Sequence, residues 1–181
     1  MRASSSPRGM TLVELVVGMA IVGILLAVGA PSYRSWIQNV QIRNAAEGIQ
    51  NGLQLARAEA VRRNRNADFV LTSDAPIASP VTALATGTNW IVQAPDSNGI
   101  VVFIQGRAAA EGSANITVAT TPATSTITFN GFGRTNLAAN VAIAVDNPNG
   151  DRNLQILVST GGQIRMCDPK LSLATNPQGC S

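Results

Sequence analysis

One apolar run near the N-terminus constrains this chain more than any other feature. Residues 10–30 contain a single charged side chain, Glu14, and follow a short basic stretch that holds Arg2 and Arg8. A helix of these 21 residues would be about 31 Å long at roughly 1.5 Å per residue, which matches the hydrocarbon core of a bilayer. The run therefore predicts a membrane-spanning segment.

Glu14 is the unusual residue of this run. A carboxylate at the centre of a bilayer costs roughly 2.5–3.5 kcal/mol on insertion scales, and such residues tend to face a partner rather than lipid. Two interpretations follow from the residue alone. Either Glu14 lies shallow, near the headgroups, without a role, or it waits for a cation that another group supplies.

The residues around Glu14 stand in a recognisable order. The order is a basic head with Arg2 and Arg8, then Gly9, then Met10-Thr11-Leu12-Val13-Glu14, then a long apolar run, then Pro31. It resembles the class III signal of type IV pilins and pseudopilins. The resemblance implies that prepilin peptidase cuts after Gly9 and that the new N-terminal residue, Met10, is methylated. It also implies that Glu14 serves subunit assembly, and a proline at the place of Pro31 is usual in that family.

Met10 departs from the family pattern, in which the residue after the cut is most often Phe. With this signal, residues 1–9 are a leader whose positive charge holds the N-terminus in the cytoplasm. Residues 10–30 then span the bacterial inner membrane once, held by its lipid before assembly, and the remainder lies in the periplasm. An ordinary secretory signal cut after Ala30 is the competing interpretation. Pro31 directly after that site and a run longer than 7–15 residues fit it poorly.

Residues 31–65 change from all-apolar to amphipathic. Small and apolar residues recur at steps of three and four: Ile42, Ala46, Ile49, Leu53, Ala56 and Ala60. The pattern predicts a helix with one buried stripe. The side chains of this stripe are small enough for a sheet to approach closely. We expect bends or loosening at Gly29 with Pro31 and at Gly48 with Gly52, because glycine and proline weaken helices. Arg43 with Glu47, and Glu59 with Arg63, are spaced for surface ion pairs.

The end of this helix carries a second resemblance. The segment from Leu53 to Asn64 reads LQLARAEAVRRN, and it closely resembles the LxLARSEAxxRN segment of the GspH/FimT branch of pseudopilins and minor pilins. With the leader, the resemblance covers residues 9–65. It implies a type IV pilin-like fold and a minor subunit near the tip of a filament, whose partners are other minor and major pilin or pseudopilin subunits. We interpret Arg62, Arg63 and Arg65 as a solvated cap at the negative end of the helix dipole.

Short strand-like runs follow the helix, separated by clusters of Gly, Pro, Asn, Asp and Ser. They are Asp68–Thr72, Asn89–Ala94, Ile100–Gln105, Asn115–Ala119, Ser125–Asn130, Asn140–Asp146, Asn153–Ser159 and Gln163–Cys167. Asn149-Gly150 predicts a hairpin, and residues 73–88 predict a surface loop. The expected fold class is α+β, with the long N-terminal helix packed on an antiparallel β-sheet domain that occupies residues 66–181.

The two cysteines, Cys167 and Cys180, lie close together near the C-terminus. In a domain that is exported through the membrane, we expect them to form a disulfide, which stabilises by about 3 kcal/mol in the chain-entropy model. Two free thiols are the alternative. Because the chain has no histidine and its acids show no paired spacing, we expect no enzyme, no cofactor and no metal site.

DNA binding is the alternative function. Some FimT-type proteins bind DNA through a GRxR motif beside the disulfide, and the comparable residues here are Gly162-Gln163-Ile164-Arg165. Arg165 matches the second arginine, whereas Gln163 replaces the first, which removes a phosphate contact. Residues 66–181 carry five positive and seven negative side chains, a balance of −2, so this domain does not favour nucleic acid. An exposed strand position is the simpler interpretation of Arg165.

The sequence therefore predicts a minor pilin or pseudopilin subunit that starts or caps a pilus-like filament. The leader, the helix and the head are shared by type II secretion pseudopili and type IV pili, so the resemblance implies one of these two systems without separating them. Glu14 would bind the free amine that cleavage after Gly9 creates on a neighbouring subunit.

Overall fold

The structure is a computed structural model that describes residues 9–180, and of residues 28–31 it describes the backbone but not the side chains. The leader residues before Gly9, including Arg2 and Arg8, lie outside the described part. One helix, α1, and eight strands follow each other along the chain. Their bounds are α1 Leu12–Arg63, β1 Ala67–Thr72, β2 Asn89–Pro95, β3 Val101–Arg107, β4 Thr117–Thr121, β5 Thr126–Phe129, β6 Val141–Asp146, β7 Leu154–Val158 and β8 Ile164–Cys167.

Helix α1 joins the two predicted helical stretches into one element of 52 residues, which is about 78 Å long at 1.5 Å per residue. Its axis changes direction by 42° between the segments Leu12–Ala27 and Ser32–Arg63, where we expect a bend from Gly29 and Pro31. Within the described residues, neither segment alone is long and apolar enough to cross a membrane. The bent pair together meets that requirement by length and composition.

The predicted stripe of α1 is confirmed as the helix side of the core. Its members are at most 1% exposed: Ile42, Ala46, Ile49, Leu53, Ala56 and Ala60. They pack against β1 and β2 on one side and against β7 and β8 on the other. The buried aromatic rings Phe69 and Phe129 complete this single core.

Gly48 and Gly52, where we expect a bend or loosening, do not interrupt the helix. A Cβ on Gly52 would lie 2.9 Å from ring atoms of both Phe69 and Trp90, and one on Gly48 would lie 2.6 Å from the guanidinium of Arg107. The helix continues through both positions, because burial against the sheet outweighs the weak helix propensity of glycine. The two glycines therefore set how closely β1, β2 and β3 approach α1.

The strands form two antiparallel sheets rather than one. The first has the order β3-β2-β1-β5 and the second has the order β4-β6-β7-β8. The chain changes sheet between β3 and β4, between β4 and β5, and between β5 and β6. Residue alternation indicates which face of a strand is buried, but it does not name the neighbouring strand. The split into two sheets was therefore outside the reach of the sequence pattern.

All eight predicted strands are present, with shifted ends. The largest shift is in β4, which begins at Thr117 rather than Asn115. Asn115 has φ = +70°, a left-handed conformation that a strand residue does not adopt. The loop of residues 73–88 is confirmed, because it holds only turns, bends and one isolated bridge between Thr72 and Ala83.

The hairpin predicted at Asn149-Gly150 joins β6 and β7, which pair from Val145 with Leu154 outward. Its connection is longer than a two-residue turn because it reaches back to the helix. The side-chain Oδ1 of Asn39 on α1 accepts hydrogen bonds from the backbone N–H groups of Asp151 and Arg152, at 3.0 and 3.2 Å. This contact attaches the hairpin connection to the first turns of the amphipathic part of α1.

Candidate functional site

The start of α1 holds the predicted leader cut and the predicted assembly residue, Glu14. Thr11 is the N-cap, and its hydroxyl accepts a hydrogen bond from the backbone N–H of Glu14 at 3.3 Å. Thr11 and Glu14 stand at the spacing of a capping box. A negative side chain in the first turn is also favoured by the helix dipole. The helix thus begins at Leu12 and leaves the Gly9–Met10 bond outside it, in exposed chain.

The apolar side chains from Leu12 to Leu26 lie outside the core of the head. Every residue from Gly9 to Ala27 is exposed, including large side chains such as Leu12 at 81% and Leu26 at 67%. Such a continuous apolar surface marks a membrane or protein contact, because water does not solvate it favourably. Within residues 9–180 the carboxylate of Glu14 has no ion-pair partner.

The arginines at the end of α1 hold the helix to the head, which corrects our interpretation of a solvated cap. Arg63 donates to the carbonyl oxygen of Pro95 at 3.1 Å, and Arg65 donates to that of Asp96 at 2.9 Å. Pro95 is the last residue of β2, and Asp96 begins the connection from β2 to β3. The interpretation stays correct for Arg62, which is exposed and pairs with Glu59.

Glu59 organises this helix end from within. Its carboxylate accepts from Arg62 at 2.6 Å and from Arg63 at 2.8 Å, so the predicted Glu59–Arg63 pair is confirmed and extended. The hydrogen bond from Arg62, and after it that from Arg63, holds the pKa of Glu59 below its ordinary value, against the opposing effect of burial. The Arg43–Glu47 pair is present as well, at 2.8 Å on the exposed face.

Asn64 ends the helix in the left-handed conformation, with φ = 50° and ψ = 39°. The N–H of Asn64 donates to Val61 O at 3.2 Å and that of Arg65 donates to Ala60 O at 3.1 Å, which satisfies the last carbonyl groups of the helix. Gly131 lies against this cap, since its Cβ would be 2.5 Å from the Asn64 side chain. The LQLARAEAVRRN segment is thus a structural unit that ends α1. It also lies against two connections of the head, the one after β2 and the one after β5.

The disulfide between Cys167 and Cys180 is present and closes the C-terminal loop, with 5.1 Å between the two Cα atoms. Arg165 supports this closure from β8. Its guanidinium donates to the carbonyl oxygens of Gly179 and Cys180, both at 3.1 Å. Arg165 is therefore engaged with the disulfide loop and is only half-exposed, whereas a DNA contact requires a guanidinium that reaches phosphate.

A different pair of arginines is available to solvent. We call Arg57, Phe132 and Arg134 the arginine–phenylalanine surface. Phe132 is 86% exposed at the tip of the turn after β5, and Nε of Arg57 would lie 3.0 Å from a Cβ on Gly133 in that turn. Within residues 9–180 the guanidinium groups of Arg57 and Arg134 form no ion pair or hydrogen bond.

The turn that presents Phe132 is held rigidly. Oδ1 of Asn130 accepts from the N–H groups of Phe132 and Arg134, at 3.0 and 3.1 Å, and Asn130 N–H donates to Arg134 O at 2.9 Å. The neighbouring turn between β7 and β8 packs against it through Gly162, whose φ is +85° and which leaves no room for a Cβ beside the Gly133 carbonyl. An aromatic residue between two glycines, Gly131-Phe132-Gly133, is the sequence signal for this exposed turn.

The predicted site residues therefore fall into two groups. Gly9, Met10 and Glu14 lie together at the start of α1, whereas Cys167, Cys180 and Arg165 lie in the head at β8. The side chain of Pro31 is not described. Within residues 9–180, no group of three His, Cys, Asp or Glu side chains is placed to hold a metal ion.

Two models of known families match this chain, one in its C-terminal part and one at its N-terminus. The model of the type II transport protein GspH matches residues 45–162, and the prokaryotic N-terminal methylation motif matches residues 4–30. The second match contains the Gly9–Met10 bond and Glu14. It confirms the resemblance to pilin-type signals, although the structure describes only residues 9–30 of that range.

Individual relatives agree with these matches. The chain is 30% identical to the fimbrial protein EcpC of Eikenella corrodens over 117 residues, which are 60% of this chain and 76% of that protein. It is 34% identical to a fimbrial protein of Moraxella nonliquefaciens over 56 residues, or 29% of this chain and 36% of that protein.

The fold has a solved counterpart. The type IV minor pilin FimU of Pseudomonas aeruginosa superposes with a TM-score of 0.55 at 22% identity, covering 77% of this chain and 95% of that chain. At this identity the likeness concerns the fold, and it confirms the predicted type IV pilin-like α+β architecture. Because the GspH model covers 118 of the 181 residues and the methylation motif precedes it, the chain belongs to the GspH family of pilin-like proteins.

Proposed function

We propose that this protein is a minor pilin or pseudopilin subunit that helps to initiate or cap a pilus-like filament, in type II secretion or type IV pilus biogenesis. One observation carries the proposal. The apolar N-terminal part of α1, exposed from Leu12 to Ala27, continues into a helical part that packs on a small head. A subunit of this design can leave a bilayer and bury the same helix among the helices of its neighbours.

Processing precedes assembly in this proposal. Prepilin peptidase cuts between Gly9 and Met10, and the new amine of Met10 is methylated. Residues 10–30 then hold the subunit in the bacterial inner membrane, with the N-terminus cytoplasmic and the head, residues 66–181, periplasmic. The N-cap of α1 is Thr11, which lies after the cut, so the start of the helix survives the removal of the leader.

Cleavage also creates the cation that Glu14 lacks. An ammonium group on a neighbouring subunit, placed against Glu14 in the apolar bundle, forms a charge pair that either group alone would find costly there. The pair sets the axial register of the subunit as it enters the filament. The head, which is packed onto α1 by both sheets, then selects the neighbouring subunits.

The test is a Glu14→Ala variant in cells that assemble the filament. We expect normal membrane insertion and cleavage, because the helix stays apolar, and loss of the protein from isolated filaments. Glu111→Ala is the matched control, since it removes an exposed carboxylate far from α1's N-terminus. Normal incorporation of Glu14→Ala would contradict the assembly role of this residue.

DNA binding in uptake is the second candidate function, and the arginine–phenylalanine surface is the observation that favours it. Segments 50–58, 130–140 and 159–164, which surround this surface, contain no acidic residue. Two exposed arginines and an exposed ring on one turn and the adjacent helix suit phosphates and an unpaired base. This location replaces Arg165 as the preferred contact, because the guanidinium of Arg165 is bound to the disulfide loop.

A salt-dependent gel shift with single-stranded DNA tests this candidate. We expect the double variant Arg57→Ala, Arg134→Ala to lose binding at low salt, while Arg165→Ala keeps it. Equal binding by all three proteins would exclude the arginine–phenylalanine surface. Absence of binding by the unmodified protein at low salt would exclude the DNA function itself.

A further inference from the structure

Two aromatic side chains stand exposed directly above the apolar run. Tyr33 and Trp36 lie one helical turn apart on α1, and their rings pack with centroids 6.0 Å apart and planes at 29°. Tyr33 is 61% exposed and Trp36 is 60% exposed. By contrast, the other tryptophan of the chain, Trp90, is 4% exposed in the core. The pair therefore contributes little to the core of the head.

Their height above the run matches one layer of a bilayer. Tyr33 lies about 4.5 Å and Trp36 about 9 Å beyond Ala30 along the helix. Because the upper segment is inclined by 42° to the lower one, the heights along the axis of the lower segment are about 3 and 7 Å. The headgroup layer on each face of the hydrocarbon core is about 5–7 Å thick, so both rings fall in or at the edge of it.

The charges near the pair suit the same layer. Arg34 is exposed between the two aromatic residues, where a guanidinium reaches lipid phosphate. No acidic residue occurs from residue 15 to residue 46, so nothing in this stretch repels anionic lipid. Tyrosine and tryptophan are the residues that membrane proteins place at the boundary between hydrocarbon and headgroups, since each combines an apolar ring with a polar group.

We propose that Tyr33 and Trp36 form an interfacial anchor that rests in the outer headgroup layer of the inner membrane, with Arg34 on the lipid phosphates. This inference rests on the proposed membrane insertion of residues 10–30. Glu14 lies about 24 Å below Ala30 along α1, so in a hydrocarbon core about 30 Å thick it lies about one helical turn inside the opposite boundary. The anchor therefore holds Glu14 near the boundary where the proposed cut at Gly9 occurs and where a neighbouring subunit is recruited.

Quenching of tryptophan fluorescence by brominated lipid measures the depth directly. The full chain is reconstituted into phosphatidylethanolamine–phosphatidylglycerol vesicles that carry bromine either near the headgroup or near the chain end. We expect near-headgroup bromine to quench the Trp36 component more strongly than chain-end bromine. The Trp36→Phe variant leaves only Trp90, and its emission should stay unquenched because Trp90 lies in the head.

Two further variants keep a single movable reporter in a Trp36→Phe background. Tyr33→Trp places the indole one turn lower and Val40→Trp places it about one turn higher. We expect quenching by near-headgroup bromine to be strong for Tyr33→Trp and lost for Val40→Trp. Flotation of the vesicles shows separately whether each protein is inserted.

Equal quenching at positions 33, 36 and 40, or none at any of them, in protein that floats with the vesicles would overturn the anchor while leaving membrane insertion intact. Protein that fails to float would contradict the membrane insertion and the anchor with it. The two failures are therefore distinguishable in one preparation.

Discussion

Glu59 is placed so that one carboxylate serves two arginines at the end of α1. Its side chain is 14% exposed, and that of Arg63 is 22% exposed, so this pair is better shielded from water than the Arg43–Glu47 pair, at 72% and 44%. Because it is partly shielded, we expect the Glu59–Arg63 pair to contribute more to stability than the Arg43–Glu47 pair, although the spacing of both pairs in the sequence is the same. Arg63 also continues to the Pro95 carbonyl, which links the pair to the first sheet.

A pH-dependent stability follows from the lowered pKa of Glu59. A carboxyl group whose folded pKa lies below its unfolded value of about 4.3 stabilises the fold above that pH. The contribution is lost as the pH falls below about 4.3 and through the folded pKa. We expect Glu59→Gln to lower the free energy of unfolding by about 0.5–1 kcal/mol at pH 7.

Denaturant unfolding of the full chain in detergent, at neutral pH and again below the folded pKa, measures this contribution. The difference between Glu59→Gln and the unmodified protein should vanish at the lower pH. Glu47→Gln is the exposed control and should have a smaller effect at neutral pH. A Glu59→Gln effect that persists unchanged in acid would assign it to packing rather than to charge.

The contact between α1 and the first sheet depends on a missing side chain. Gly52 faces Phe69 and Trp90, whose rings are themselves in contact with centroids 5.7 Å apart. The sequence pattern predicted the stripe, its burial and the close approach of a sheet. The pattern could not identify Gly52 as a packing position. A glycine in a helix can either weaken the helix or allow close packing, and only the opposing rings decide between the two.

We expect Gly52→Ala to destabilise the head by about 1–3 kcal/mol, since the added methyl group overpacks a filled core. Gly18→Ala is the matched control, because no atom lies within 4 Å of its Cβ position, and it should leave the unfolding of the head unchanged. Guanidinium unfolding followed by Trp90 fluorescence measures both. A Gly52→Ala protein as stable as the unmodified one would mean that the rings of Phe69 and Trp90 move aside at no energetic cost, which would contradict the prediction.

At the scale of strands, sequence patterns located all eight elements because each is a short apolar run between turn residues. The pairing of β4 with β6, and of β5 with β1, came only from the structure. Strand alternation carries no information about which sheet a strand joins. The same limit applies to the arginine–phenylalanine surface, which brings Arg57 of α1 next to the turn of Phe132 and Arg134.

The whole molecule divides its tasks between the two ends of α1. The N-terminal end carries the proposed cut site, Glu14 and the exposed apolar surface, and a sequence motif is enough to find these residues because they are contiguous. The C-terminal half is covered by two sheets and a disulfide-closed loop, and it presents the surfaces that a neighbour meets. Tyr33 and Trp36 lie between the two halves. Their proposed role as an anchor follows from the bend of α1 and from their exposure, and neither can be obtained from the sequence.

In the proposed function, membrane insertion, cleavage and assembly all depend on the Gly9–Met10 bond, so the decisive measurement is the mass of the mature N-terminal peptide. The protein is isolated from the membrane fraction of cells that contain prepilin peptidase, digested and examined by mass spectrometry. We expect a chain that starts at Met10 and carries one methyl group on its amine. A mature chain that starts at Pro31, or one that keeps residues 1–9, would contradict it.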